Sequence, residues 1–267
     1  MIRTDLHCHL LPGIDDGARD LEQSLAMARI ALQDGIRTVV ATPHHLNGVY
    51  TNPAAQVRAR VQALRDALAD AGIALEVLPG AELHLVPELP EQLARGEALT
   101  IGDHGRAVLV ELPVHQIPVG ADQILEHLLA MALTPVIAHP ERNSQLRRQP
   151  ERLAEWVSWG CLGQLTAQSC TGRFGPEVQQ VARSMLLAGS IQVVASDAHR
   201  DRRRIPRISP AAEQIAQWSN VTLARVVTVD IPQAIGRGEA PDLEAFRAAL
   251  PETRPRRWWQ RWLGKSG

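Results

Sequence analysis

Cysteine is scarce in this chain. Cys8, Cys161 and Cys170 are the only three in 267 residues, an odd and scattered set that builds no disulfide framework and includes no C-x-x-C. None has an arginine six positions later, which excludes a cysteine nucleophile in a C-x5-R phosphate-binding loop. Strand alternation also turns Cys8 away from the histidines on either side of it, so it reads as a small buried apolar residue. Apolar runs of about 18 residues, the length of a membrane span, are missing. The amino terminus lacks a signal-peptide pattern, and the expected location is the cytoplasm. No G-x-G-x-x-G follows the first strand, which argues against a dinucleotide-binding sheet. Neither sign of charge dominates: 28 basic and 29 acidic residues offer no general attraction to a nucleic-acid backbone.

What the chain does have is a rhythm. Hydrophobic residues make up 45% and charged residues 21%, enough for a sizeable core. Leu21, Leu25, Ala28 and Leu32 recur at helical spacing before Gly35, and residues 36–42 then read as a strand ending in Pro43-His44-His45. Pro53 opens a helix through Val57, Val61, Leu64 and Leu68, followed by a strand over 73–78 that runs into Gly80-Ala81-Glu82. The same alternation predicts strands at 107–110, 135–138, 162–166 and 191–195, with helices over 124–131, 153–159 and 178–187. About seven short strand–helix units predict an α/β fold with a parallel sheet, closed as a distorted (β/α)7 TIM-like barrel rather than left open. Seven and eight strands are both compatible with the pattern.

Two histidines, His7 and His9, sit one residue apart in the first apolar strand, and alternation points Asp5, His7 and His9 to one side. A buried face of that kind needs partners, and imidazoles beside carboxylates are what a transition-metal site uses. Alone, the pair is equally well an ordinary hydrogen-bonded one. Other residues of ligand type, however, follow the ends of other strands: His44, Glu82, Glu111, His139, Asp197 and His199. In a parallel barrel the carboxyl ends of the strands make one face, and active sites are built there. Their joint placement predicts a metal site on that face.

With their neighbours these residues form motifs. H-C-H, L-P-G-I-D-D-G, A-T-P-H-H, G-A-E, V-E-L-P, A-H-P-E-R, G-R-F-G and S-D-A-H resemble those of PHP-domain phosphoesterases, the polymerase and histidinol phosphatase superfamily. The D-D-G loop, A-H-P-E-R and G-R-F-G most resemble the manganese-dependent protein-tyrosine phosphatases of bacterial capsule and exopolysaccharide systems. The resemblance spans residues 2–206 and implies a PHP fold, with a phosphatase domain over 1–250. It also implies three divalent metal ions, Mn2+ in the first place with Fe2+ or Zn2+ as alternatives. His7, His9, Glu82 and Asp197 would hold the first, Glu82, Glu111 and His139 the second, and Asp16, His44 and His199 the third. Three divalent ions against four carboxylates leave a net positive site that attracts phosphate and hydroxide. The implied reaction is attack on phosphorus by a metal-bound hydroxide. Its implied substrate is phosphotyrosine on a protein, in particular a membrane-associated bacterial tyrosine kinase. Rival readings are a small-molecule phosphatase of the histidinol-phosphate kind, a nuclease, which the net charge of −6 on residues 1–253 argues against, and a binding module, which a complete ligand set argues against.

Around the ligands, Asp5 is expected to orient a histidine ring. His45 is read as a support or substrate contact, or else as an ordinary loop histidine. Arg142, close behind His139, suits a bidentate contact with phosphate. Of Arg200, Arg202, Arg203, Arg204 and Arg207, Arg204 best matches a family arginine, and the others read as a solvated loop. Arg173 suits a site role and a structural one equally. The segment Gln168-Ser169-Cys170-Thr171-Gly172 lacks the glycine that the family usually has before serine, so its loop should differ in shape. From Arg254 onward there are five basic residues, no acid, and three of the six tryptophans. This tail, residues 251–267, predicts a peripheral contact with the inner face of a membrane through 254–265, or else a packing or homo-oligomer contact.

Overall fold

The computed structural model describes residues 1–252, and the basic stretch 254–265 lies outside the described residues. Among the described residues nine strands form: β1 (Arg3–Cys8), β2 (Ile36–Ala41), β3 (His44–His45), β4 (Glu76–Pro79), β5 (Glu82–His84), β6 (Ala107–Glu111), β7 (Thr134–Ala138), β8 (Leu162–Thr166) and β9 (Val193–Ala195). All pairings between them are parallel, in one sheet of order β1-β2-β4 and another of order β3-β5-β6-β7-β8-β9. The protein is thus an α/β fold with parallel sheets, as the alternation predicts.

The chain itself joins the two sheets. β2 passes into β3 across Thr42-Pro43, and β4 passes into β5 across Gly80-Ala81. Pro43 has no amide hydrogen to give a ladder, so regular pairing lapses there and resumes at His44 opposite Glu82. Helices over Leu21–Gln33, Ala54–Asp70, Ala121–Ala130, Pro150–Trp159 and Pro176–Leu187 alternate with the strands. The stripe Val57, Val61, Leu64 and Leu68 is buried as its spacing requires. Strands covered by helices in this way lose their alternation of polar and apolar residues, and every residue of β8 is buried.

Hydrogen bonds also tie the first strand to the last. Asp197 N–H donates to His7 O and His9 N–H to Ala198 O, both at 2.8 Å. Below them the fully buried Asp5 carboxylate accepts from Ser196 N–H at 2.9 Å and from the Ser196 hydroxyl. Asp5 therefore does not orient a histidine ring, as the sequence suggested. It satisfies backbone and hydroxyl donors in a dry seam, where unpaired donors are costly. One further difference has a local cause. The strand expected over 73–78 begins at Glu76, because Ile73 N–H still closes the preceding helix on Leu68 O at 2.9 Å. Beyond the region read from the sequence, helices over Ser209–Trp218, Val221–Arg225, Ile231–Gly236 and Leu243–Ala249 follow, and Ile231–Gly236 packs on β1. Among the described residues no helix is long and apolar enough to cross a membrane.

Asp5→Ala would strand the Ser196 donors inside the seam. Chemical denaturation should register a loss of about 2–4 kcal/mol, and a loss below about 0.5 kcal/mol would show that the seam does not depend on this carboxylate.

Candidate metal centre

Parallel strands deliver their carboxyl ends to one side, and the ligand-type residues arrive there in turn. His7 lies in β1 and His9 just beyond it, with Asp15 and Asp16 in the next loop. His44 and Glu82 face each other across β3 and β5, Glu111 ends β6, His139 follows β7, and Asp197 and His199 follow β9. All nine residues singled out as metal ligands are brought together.

Their centre is Glu82, whose side chain is 1% exposed. His139 Nε2 approaches it at 2.9 Å, His44 Nδ1 at 3.0 Å, His7 Nε2 at 3.3 Å and His9 Nε2 at 3.4 Å. Three groups have donor atoms all within 4.8 Å of one another: His9, Asp16, His44 and His199; His7, His9 and Glu82; His44, Glu82 and Glu111. They overlap the implied sets with two differences. His9 and His44 each belong to two groups, and Asp197 and His139 belong to none of the three. Asp197 Oδ1 is 3.5 Å from His7 Nε2 and 3.8 Å from His9 Nε2, and His139 Nε2 is 3.8 Å from Glu111 Oε1.

Two residues that sequence reasoning missed orient the first pair of rings. His7 Nδ1 lies 2.9 Å from Gln164 Oε1. The Gln164 amide nitrogen donates to Leu165 O, so its oxygen faces His7, and Nδ1 must be the donor. His9 Nδ1–H donates to Asp15 Oδ2 at 2.7 Å. Both rings therefore turn a basic Nε2 toward the interior, 3.2 Å apart. Asp15 reaches His9 because its loop folds tightly at Gly17, where a Cβ would come within 2.3 Å of His9 O. Asp15 stood in plain view inside D-D-G; Gln164, on a buried strand, carries no local signal.

The electrostatics favour cations. Burial disfavours a charged His9, yet the neighbouring Asp15 and Glu82 carboxylates lift its pKa to about 9. His44 is likewise penalised by burial and lifted to about 11 by Asp16, Glu82 and Glu111. For Glu82 burial opposes ionisation, but His7, His139 and His44 hold it well below the usual carboxylate range. Buried His44 Nδ1 and Asp197 Oδ1 have close neighbours but no aligned hydrogen bond. A nitrogen and oxygen set without sulfur, carrying carboxylates and inward Nε2 atoms, fits divalent ions of the Mn2+, Fe2+ or Zn2+ kind. The cysteines do not compete as nucleophiles: burial raises all three thiols, Cys161 to about 12.

Two arginines grip Asp197 from either side, Arg142 Nη1 at 2.6 Å from Oδ2 and Arg204 Nη2 at 2.5 Å from Oδ1, and each is 27% exposed. The Thr166 hydroxyl also donates to Oδ2. Behind Arg142, buried Glu141 accepts from Thr166 N–H and the Ser169 hydroxyl, fastening the A-H-P-E-R turn to the end of β8 and to the short helix Ala167–Cys170 that follows it. The other two candidates fall outside. His45 is 3% exposed, donates from Nδ1 to Asn52 O at 2.8 Å and belongs to none of the three groups. Arg173 is exposed.

Removing either orienting group should loosen the metals without emptying the fold. Titration of metal-depleted Asp15→Asn and Gln164→Leu proteins with Mn2+ should show affinity reduced roughly 10- to 100-fold; unchanged affinity in both would mean that neither residue holds its ring in place.

The family model for capsular polysaccharide synthesis proteins, CpsB/CapC, matches residues 3–236. Tyrosine-protein phosphatase YwqE of Bacillus subtilis is 42% identical over 200 residues, 75% of this chain and 78% of its own. Tyrosine-protein phosphatase CpsB of Streptococcus pneumoniae is 30% identical over 240 residues, 86% of this chain and 97% of its own. A crystal structure from work on YwqE and CpsB, described as metal-dependent tyrosine phosphatases, superposes with a TM-score of 0.83 at 36% identity, over 89% of this chain and 95% of that one. By sequence over most of its length and by fold, the chain belongs to the CpsB/CapC family.

Proposed function

We propose that the chain is a metal-dependent phosphatase that removes phosphate from tyrosine side chains of proteins. The observation that carries this reading is the gathering of nitrogen and oxygen donors around Glu82 beside two arginines that share Asp197. The relatives YwqE and CpsB bear the name tyrosine-protein phosphatase, which supports the same reaction here.

His7, His9, Glu82 and Asp197 would hold one ion, Glu82, Glu111 and His139 a second, and Asp16, His44 and His199 a third; the donor set suits Mn2+, Fe2+ and Zn2+ alike, and the family resemblance puts Mn2+ first. When bound, divalent ions supply Lewis acidity and lower the pKa of water from about 15.7 toward 7. The chain's own part is to position. Gln164 and Asp15 engage Nδ1 of His7 and His9 and so aim Nε2 of both rings at the interior. Arg142 and Arg204 offer guanidinium forks to the phosphoryl oxygens from a partly exposed rim, a geometry suited to oxyanions.

The finer reading concerns fold and partner. The two sheets act as one distorted seven-stranded barrel, in which β2 with β3 and β4 with β5 each count as one strand and the β1–β9 hydrogen bonds close the ring; the domain runs over 1–250. The phosphoprotein is a membrane-associated tyrosine kinase of capsule export, met at the cytoplasmic face. The family's link to capsular polysaccharide synthesis and the basic, tryptophan-bearing stretch 254–265 support that choice.

Chelation should abolish hydrolysis of an aryl phosphate and Mn2+ should restore it, and activity indifferent to chelator would sink the metal reading. His139→Ala and Asp197→Ala should each cost several orders of magnitude in kcat/KM, whereas a loss below about tenfold would remove that residue from the centre. A competition among a phosphotyrosine peptide, histidinol phosphate and a single-stranded oligonucleotide should rank the peptide first by kcat/KM. Preference for either rival would reassign the substrate.

A further inference from the structure

The chain has only two phenylalanines. Phe246 is 3% exposed and belongs to the hydrophobic core. Phe174 is only partly buried and is not among the described residues that form or pack on that core. Its ring lies under the Arg142 guanidinium, with the Arg142 Cζ 4.9 Å from the ring centroid. Arg142 is thus held at two points, by the Phe174 face and by Asp197 Oδ2 at 2.6 Å.

The backbone around Phe174 is built to present that ring. Gly172 and Gly175 bracket it with φ of 76° and 95°, values that other side chains rarely adopt. Arg173 N–H donates to Gln168 O at 3.1 Å, and Gly175 N–H to Gly172 O at 3.0 Å. Gln179 Nε2 donates to Cys170 O at 2.8 Å and pins the loop to the following helix. The loop is also fastened to the turn that carries Arg142, through Glu141 and Ser169. Arg142 itself leaves β7 through a single 3-10 turn, Pro140–Arg142, and Asn143 caps the helix behind it by accepting from Gln145 N–H and Leu146 N–H. Base and ring are therefore fixed by separate strands, and only the long arginine stem between them has freedom to lose.

We propose that Phe174 is the positioning residue of Arg142: its π face holds the guanidinium flat beside Asp197, so that the N–H groups not used by Asp197 meet the phosphoryl oxygens of an aryl phosphate or of inorganic phosphate. This rests on Arg142 being a phosphate contact. An arginine side chain carries a large rotamer entropy, and a preset orientation reduces what is lost when the oxyanion binds.

The test uses the full-length, metal-loaded protein and four variants: F174L, F174W, R142A and F174L/R142A. The readouts are KM and kcat for an aryl phosphate, the inhibition constant of inorganic phosphate, and bound metal per chain. F174L should raise KM and the phosphate inhibition constant together, roughly 2- to 30-fold, with bound metal unchanged. F174W, which keeps a π face, should stay within about twofold of the parent, and F174L should add less than about twofold once Arg142 is gone. An equal effect of F174L with and without Arg142, a loss of bound metal, or failure of F174L to fold would make Phe174 a structural residue and overturn the proposal. If R142A weakens phosphate inhibition but F174L does not, the positioning role is overturned and the arginine contact survives. If R142A leaves phosphate inhibition unchanged, the contact itself falls, and the positioning role with it.

Discussion

A carboxylate removed from water stays ionised only where cations or hydrogen-bond donors surround it. Glu82 is in that position, 1% exposed with four imidazoles within 3.4 Å. Those imidazoles come from residues 7, 9, 44 and 139, which is to say from the ends of three different strands, β1, β3 and β7. The arrangement is possible because all nine strands run in one direction and put their carboxyl ends on one face. An antiparallel sheet would have sent half of them to the other side. The demand for positive charge around Glu82 is also what makes the pocket a place for divalent ions, which meet it with fewer groups than protons do.

Backbone strain sits at the same place. Of the six described residues other than glycine with positive φ, three belong to the site: His139 at 31°, Asp197 at 51° and Arg204 at 51°. Each such conformation costs of order 1–3 kcal/mol and persists only when its surroundings enforce it. Here they do. His139 O accepts from Arg142 N–H, Asp197 N–H is held by His7 O, and Arg204 O accepts from His199 N–H. A sharp turn directly after a strand lets a ligand face inward where a relaxed one would leave along the strand axis.

Much of the centre was legible from residue type and place alone. His7, His9, His44, Glu82, Glu111, His139, Asp197 and His199 all follow strand ends that apolar runs and turn residues mark locally, and Asp16 falls in a loop motif beside them. The supports were harder to read. Asp5, which alternation puts on the same strand face as His7 and His9, satisfies Ser196, 191 residues away. Gln164 meets His7 across 157 residues, and nothing in L-G-Q-L-T distinguishes a ring-orienting amide from any other buried one. His45 lies beside His44 in β3 yet belongs to none of the three donor groups, since neighbours along a strand point to opposite faces.

Sequence by itself determined the chemistry available, a parallel α/β chain with nitrogen and oxygen donors at its strand ends and no usable thiol, because strand and helix periods and turn residues act over a few positions. Tertiary structure alone decided how those donors are shared. His9 and His44 each serve two groups, Asp197 is gripped by Arg142 and Arg204, and Phe174 lies beneath Arg142. These are lateral distances between strands far apart in the chain. They depend on how helices and loops pack the strands together, and no local pattern carries that information.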